Sequence, residues 1–242
     1  MKLRKVRKNE GQNKMTLTIY GIREWGSALF AALLIGGGCW WLIERTRFPM
    51  CGWIVGGIAL ALFLAVAFFF RNPARRVPKN PLLVVSPADG TVRDIEVVED
   101  FRQAPFTGKA LRIGIFLSVL NVHVNRAPAK MTVSEIHYRA GKYLDARDKN
   151  AGKENEAMTI SGLGSIDGSE FPLAVRQISG AIARRIVCPV KTGRVLARGE
   201  IYGMIKFGSR TEIYLPVDGF SVNVKVGDKV RGGESVIATM TD

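Results

Sequence analysis

Leu82-Leu83-Val84-Val85-Ser86-Pro87-Ala88-Asp89-Gly90-Thr91-Val92-Arg93-Asp94-Ile95-Glu96-Val97 holds an apolar run, a turn and a second strand-like run in immediate succession. The first four residues are too few for a helix and end on two β-branched side chains, which suits a buried strand. Ser-Pro-Ala-Asp-Gly is a turn signal, because Pro sets its own φ and Gly relieves the steric limits on the chain. Thr91 to Val97 then mixes apolar and charged residues on a short period, as a half-buried strand does. Two strands within sixteen residues set the reading for the rest of the chain.

Working outward, the same grammar recurs. Leu111 to Leu117 reads as a buried strand, and Met131 to Tyr138 alternates, with Met131, Val133, Glu135 and His137 on one face. Phe171 to Ile178, Ala181 to Val187, Glu212 to Leu215 and Phe220 to Val226 are further strand candidates. After residue 80 no amphipathic pattern exceeds three helical turns. The expectation is a β-rich α+β fold, a compact sandwich or barrel. Near the C-terminus, Val217-Asp218-Gly219 and Gly227-Asp228 are turns around alternating Val222, Val224 and Val226, with Gly232-Gly233 and Val236 closing the pattern. That layout resembles the hybrid barrel of biotinyl and lipoyl carrier domains. Those present a lysine beside Met at a hairpin tip, and no such pair sits at a turn here, so the likeness is structural.

Toward the N-terminus the composition changes. Gly26 to Ile43 is uncharged for 18 residues and Met50 to Phe70 for 21, with Glu44 to Pro49 as a short polar turn between them. A bilayer-spanning helix needs about 20 apolar residues, so the pair reads as a hydrophobic helical hairpin. Lys2, Arg4, Lys5, Arg7, Lys8, Lys14 and Arg23 precede it, and Arg71, Arg75, Arg76 and Lys79 follow it. Basic flanks place both ends on the cytoplasmic side of the cell (inner) membrane, and Trp25, Trp40, Trp41 and Trp53 lie near the segment ends. The division expected is a basic segment 1–25, a hairpin anchor 26–71 and a folded β-rich domain 72–242. A signal peptide before a secreted β-domain is the competing reading of the same basic start.

The net charge of +14, from 35 Lys and Arg against 21 Asp and Glu, calls for a polyanionic partner. Its clustering beside apolar runs selects an anionic membrane surface. No zinc-finger spacing or RNA-binding aromatic motif is present, so no nucleic-acid partner is expected. Cys39, Cys51 and Cys188 form neither a disulfide framework nor a metal site, and no metal is expected.

The residues able to do chemistry are few. His123 and His137 are the only histidines. No carboxylate pair, G-x-S-x-G elbow or nucleotide-binding glycine motif stands out. Between an apolar run and a strand lies Met204-Ile205-Lys206-Phe207-Gly208-Ser209-Arg210-Thr211-Glu212-Ile213-Tyr214-Leu215-Pro216. This stretch resembles the processing site of the phosphatidylserine decarboxylase family, in the short bacterial and archaeal form with Gly-Ser-Arg. Phe69 to Pro73, Ser86 to Val92, Phe116 to Pro128, Gly141 to Leu144 and Asn155-Glu156 resemble the same family in the same order.

The resemblance implies a self-cleaving enzyme with a covalent pyruvoyl cofactor. The Ser209 hydroxyl attacks the Gly208 carbonyl and turns the peptide into an ester. Loss of the Ser209 α-proton expels the ester, and the resulting dehydroalanine hydrolyses to pyruvoyl and ammonia. The ketone then forms a Schiff base with the substrate amine and takes up the electrons of decarboxylation. Phosphatidylserine would yield phosphatidylethanolamine and CO2. By the same resemblance Asp89, His123 and Ser209 form the maturation constellation, with Asp89 orienting His123 as the base. Arg126 stands where some members carry a second histidine, and it joins Lys206 and Arg210 as candidates to meet the lipid phosphate or carboxylate. The family's Asn-Glu-Arg becomes Asn155-Glu156-Ala157 here. The cleaved small chain stays as a partner, and a homodimer is compatible with the family. Two other functions stay open on the residues alone: an archaetidylserine-type lipid decarboxylase, and a non-catalytic membrane-anchored hybrid-barrel carrier module.

Overall fold

The computed structural model describes residues 15–45, 49–148, 150–181, 185–206 and 208–241. The basic residues Lys2 to Lys14, part of the hairpin's polar turn (46–48), Phe207, and 182–184 of one strand candidate lie outside the described residues.

The apolar runs form α1 (Ile22–Arg45) and α2 (Pro49–Phe69), packed against each other. Both are long and apolar enough to cross a membrane. Leu33, Leu34, Trp40, Trp53, Leu60 and Leu62 are among the large apolar side chains that α1 and α2 leave exposed. In water that surface would be unfavourable, whereas in lipid it is the expected state. Where they meet, Gly52 admits the Ile43 side chain: a Cβ on Gly52 would lie 2.5 Å from Ile43 Cγ1. Short strands β1 (Thr16–Leu17) and β2 (Arg71–Asn72) pair at the open end of the hairpin.

The remainder is strand-rich, as the alternation predicts. An eight-stranded sheet runs in the order β11 (Val195–Leu196), β7 (Lys130–Arg139), β8 (Ala157–Ile166), β9 (Ser169–Ile178), β13 (Ser209–Leu215), β5 (Gly108–Leu117), β4 (Gly90–Phe101) and β15 (Lys229–Val230). Two three-stranded sheets complete the fold. One is β10 (Arg185–Val187), β12 (Ile201–Lys206) and β6 (Val124–Arg126); the other is β14 (Phe220–Val222), β16 (Val236–Met240) and β3 (Leu83–Val85). The one helix described between these strands is the single turn α3 (Ala151–Glu154).

One core draws on all three sheets. It includes Val84, Val92, Ile113, Ile115, Leu117, Met131, Leu173, Val175, Tyr202, Ile213, Leu215 and Ile237. The alternation of β5 shows why: Ile113, Ile115 and Leu117 face the core, while Arg112, Gly114 and Phe116 face away. A separate cluster of Phe69, Phe70 and Met204, with Tyr20, Trp25 and Val66 against it, seats the hairpin base on β12.

Candidate active site

Strands β12 and β13 are consecutive in the chain but belong to different sheets. The chain changes sheets at Gly208, whose φ of +56° lies in the left-handed region where glycine carries no steric penalty. Ser209 opens β13, opposite Leu117 of β5. By the two-residue period it shares a face with Thr211, Ile213 and Leu215, the last two in the core. Ser209 is fully buried, and its Oγ has no hydrogen-bond partner among the described residues. A buried hydroxyl left unpaired costs about 1–3 kcal/mol, so this one calls for an explanation.

The Gly208 N–H points at Nε2 of His123, 3.2 Å away. The other ring nitrogen, Nδ1, lies 3.0 Å from the Asn121 carbonyl. A carbonyl only accepts and an amide N–H only donates. Nδ1 therefore carries the proton, and Nε2 presents a lone pair. The ring is fully buried and packs on Phe69 with centroids 4.5 Å apart. Burial, reinforced by the positive charge of Arg71, lowers the His123 pKa to about 4 against the pull of the Asn121 carbonyl. His123 is thus a neutral imidazole at physiological pH, with its basic nitrogen on the Gly208 backbone.

Buried polar groups support this pair from below. Asn125 donates to Thr211 Oγ1 at 3.0 Å, and Gln177 donates to Asn125 Oδ1 at 2.8 Å. Asn155 accepts from the Leu144 N–H and donates to the Leu144 and Ser179 carbonyls, each at 2.8 Å. That pins the chain leading to Gly180. A Cβ on Gly180 would lie 2.4 Å from the Gly208 carbonyl oxygen, so only glycine allows this backbone to rest on that carbonyl.

The structure brings Ser209, Gly208 and His123 together, but it does not bring Asp89 to His123. Asp89 instead takes a two-oxygen grip from Arg75 Nη2 at 2.9 and 2.8 Å, plus the Gly232 N–H at 2.8 Å. Charge-assisted bonds of this kind satisfy a partly buried carboxylate, and the Asn121 carbonyl takes the orienting role. The three cations expected to meet a lipid also have internal partners. Arg126 donates to Gly199 O at 3.0 Å and to Asn72 Oδ1 at 2.6 Å, and burial beside Arg75 lowers its pKa to about 10. Lys206 pairs with Glu24 of α1 and sits 5.8 Å over the Phe70 ring. Arg210 is bound to Asp94 at 2.7 Å and Glu212 at 2.8 Å. His137 is an exposed residue on β7.

Asn121, Phe69, Arg75 and the Asn125–Gln177 pair are site residues that sequence reasoning passed over. Asn121 is the one a local signal could have exposed. An Asn three residues after Ser118 and two before His123 closes a turn with its side chain.

Against known families, the model described as phosphatidylserine decarboxylase matches residues 62–238. The phosphatidylserine decarboxylase proenzyme of Carboxydothermus hydrogenoformans is 43% identical over 205 residues, covering 83% of this chain and 93% of the relative. That of Rhodopirellula baltica is 44% identical over 201 residues, covering 81% and 82%. That of Pelobacter propionicus is 43% identical over 214 residues, covering 87% and 91%.

Proposed function

The chain belongs to the phosphatidylserine decarboxylase family, and on that premise we propose that it converts phosphatidylserine to phosphatidylethanolamine and CO2 with a pyruvoyl group made from its own Ser209. The observation that carries this reading is the buried Ser209 Oγ, unpartnered among the described residues, directly after a left-handed Gly208 that faces His123 Nε2.

In this reading Ser209 Oγ adds to the Gly208 carbonyl carbon, and the Gly208–Ser209 C–N bond breaks. His123 takes the hydroxyl proton after its Nε2 exchanges the Gly208 N–H for Ser209 Oγ. A neutral imidazole suits that task, because its lone pair is available throughout the physiological range. The absence of a side chain on Gly208 leaves the carbonyl open to attack. When formed, the pyruvoyl group supplies an electron sink for carbon–carbon cleavage. The residues around it fit such a group: its position at Ser209 is dry, is fixed by β-pairing to Leu117 of β5 with β9 joining from Arg210 onward, and directly follows Gly208, whose N–H meets His123. In turnover, His123 holds or returns a proton beside the reacting carbon while the buried polar floor excludes water.

Residues 72–242 form the catalytic domain in this proposal, and 26–71 anchor it in the inner membrane with the domain on the cytoplasmic side. Cleavage between 208 and 209 leaves a small chain that supplies β13 to the middle of the large sheet, so the two chains stay together.

The intact mass of the protein beside a Ser209→Ala variant tests the proposal. The wild type is expected to give two chains, the smaller beginning at residue 209. Its mass should fall one ammonia below that of a simply hydrolysed serine terminus. The variant should stay whole and inactive. A wild type that remains a single chain while decarboxylating lipid would overturn the reading.

A further inference from the structure

Between β5 and β6 the chain turns through Ser118-Val119-Leu120-Asn121. The Asn121 side chain closes this turn by accepting from the Ser118 N–H at 2.9 Å and the Ser118 hydroxyl at 2.8 Å. The Asn121 N–H bonds back to the Ser118 carbonyl at 2.9 Å. Turn tips favour Gly, Asn, Asp and Pro. Here the two tip residues are Val119 and Leu120, 45% and 69% exposed. Folding does not require two aliphatic side chains at a tight, solvent-facing tip.

The tip is tied to the anchor. One arm of the Arg71 guanidinium donates to the Leu120 carbonyl at 2.6 Å, and the other to the Phe68 carbonyl at 2.7 Å. The same guanidinium lies 3.7 Å over the Phe68 ring, which is half exposed. Phe68 belongs to the last turn of α2, a helix apolar on every side. Val119, Leu120 and Phe68 therefore lie at one level, where the hairpin leaves its apolar surroundings. The tip also touches the chemistry. Asn121 O holds His123 Nδ1 at 3.0 Å, and a Cβ on Gly208 would lie 3.9 Å from Val119 Cγ1.

We propose that the Val119–Leu120 tip is a second membrane contact, which inserts into the bilayer at the headgroup–acyl boundary and sets the mouth of the Ser209 site at the height of the lipid headgroup. The partner is the bilayer itself, because the tip continues the lipid-facing surface of α2 through Phe68 and Arg71. The proposal rests on the lipid decarboxylase reading and adds how a lipid that stays in its leaflet reaches a buried site. Arg71 sets the depth by bonding both the helix end and the tip.

Two measurements on the full chain in phosphatidylcholine–phosphatidylserine vesicles test this. First, a benzophenone-bearing residue placed at position 120 is irradiated. Crosslinks to lipid are expected; crosslinks to a second copy of the chain, or none, would overturn the proposal. Second, Val119→Ser/Leu120→Asn puts turn-favouring residues at the tip and retains the Ser118–Asn121 closure. The ratio of kcat/KM on bilayer lipid to kcat/KM on dissolved short-chain phosphatidylserine should fall on the order of tenfold, the scale of losing one buried aliphatic side chain. An unchanged ratio, with either both values lowered or neither, would reject insertion. Failure of the underlying reading looks different: the wild type would decarboxylate neither substrate, while the crosslinks would still report where the tip sits.

Discussion

The two faces of β13 are built from alternate residues of one strand, and Glu212 on one face and Ser209 on the other are buried in opposite states. On one face, Glu212 is fully buried yet saturated. Arg210 Nε lies 2.8 Å and the Tyr214 hydroxyl 2.5 Å from its oxygens, with Arg112 and Arg176 at 3.7 and 3.8 Å. Asp94 holds the far end of Arg210, and Tyr214 stacks on Phe101 with centroids 3.9 Å apart. Burial, with Glu212 alongside, pushes the Tyr214 phenol well above its usual range. On the other face, Ser209 Oγ has no partner among the described residues. Both faces hang on the same backbone, paired on both sides by β5 and β9. The ladder supplies the stability. Side chains from β4, β5 and β9 complete the charge network around Glu212 and do not reach Ser209 Oγ. Thr211 on the Ser209 face has Asn125 as its donor, so the unpartnered state belongs to Ser209 and not to the whole face.

The sharpest way to break that contrast is to remove the imidazole that meets the Gly208 N–H, one residue before Ser209. His123→Ala should slow the appearance of the small chain by about 10²- to 10⁴-fold, the usual weight of a positioned general base. Following cleavage of freshly synthesised protein by gel or mass would measure it. Cleavage at an unchanged rate would mean that Ser209 is activated from elsewhere.

The contrast also marks how far the sequence could be read. The strands that alternate cleanly, β5 and β9 among them, were legible because each has one face in the core. Strand β8 was not anticipated, because Ser161, Gly162, Gly164 and Ser165 interrupt its apolar pattern. Gly162 is there for a tertiary reason: a Cβ would lie 2.0 Å from the Thr132 carbonyl on β7. The expected strand Phe220 to Val226 ends at Val222. The hairpin was legible from composition alone, since about 20 apolar residues carry their meaning locally. At the site, the motif pointed to Ser209, Gly208 and His123, and the structure sets His123 on the Gly208 N–H beside Ser209; the family resemblance was borne out. The role of Asp89 could not be settled that way. Which carboxylate meets which cation depends on Arg75 and Gly232, which lie 14 and 143 residues from it in sequence. The internal partners of Arg126, Lys206 and Arg210 were hidden for the same reason.

On the saturated face the expected failure is of stability rather than chemistry. Glu212→Ala, made in a Ser209→Ala background so that a single chain is compared, leaves Arg210 with Asp94 alone and Tyr214 without its acceptor. Removing one member of a buried charged network typically costs about 3–5 kcal/mol. A lower unfolding midpoint in detergent would register the loss. A shift of only a few tenths of a kcal/mol would mean that water replaces the carboxylate and that this face is less dry than it looks.

The smallest effect expected is on pH dependence, and it follows from His123. The pKa of His123 is about 4 in the folded chain, against an ordinary value of 6.5. Its basic nitrogen stays unprotonated through the physiological range, so self-cleavage should hold its rate from pH 7 to about 5 and lose half of it near 4. An exposed histidine would already be half protonated at 6.5. The same shift bears on stability. Below 6.5 the unfolded chain takes up a proton at this position that the folded chain refuses until about 4. Folding therefore loses stability as pH falls between those values and loses no more below them, a difference on the order of 3 kcal/mol. Comparing Ser209→Ala with Ser209→Ala/His123→Asn isolates this part from the carboxylates that titrate in the same range. The double variant should show a shallower decline from 6.5 to 4. Parallel curves would mean that the imidazole meets water in the folded chain, and the rate profile should then move up toward 6.5 with it.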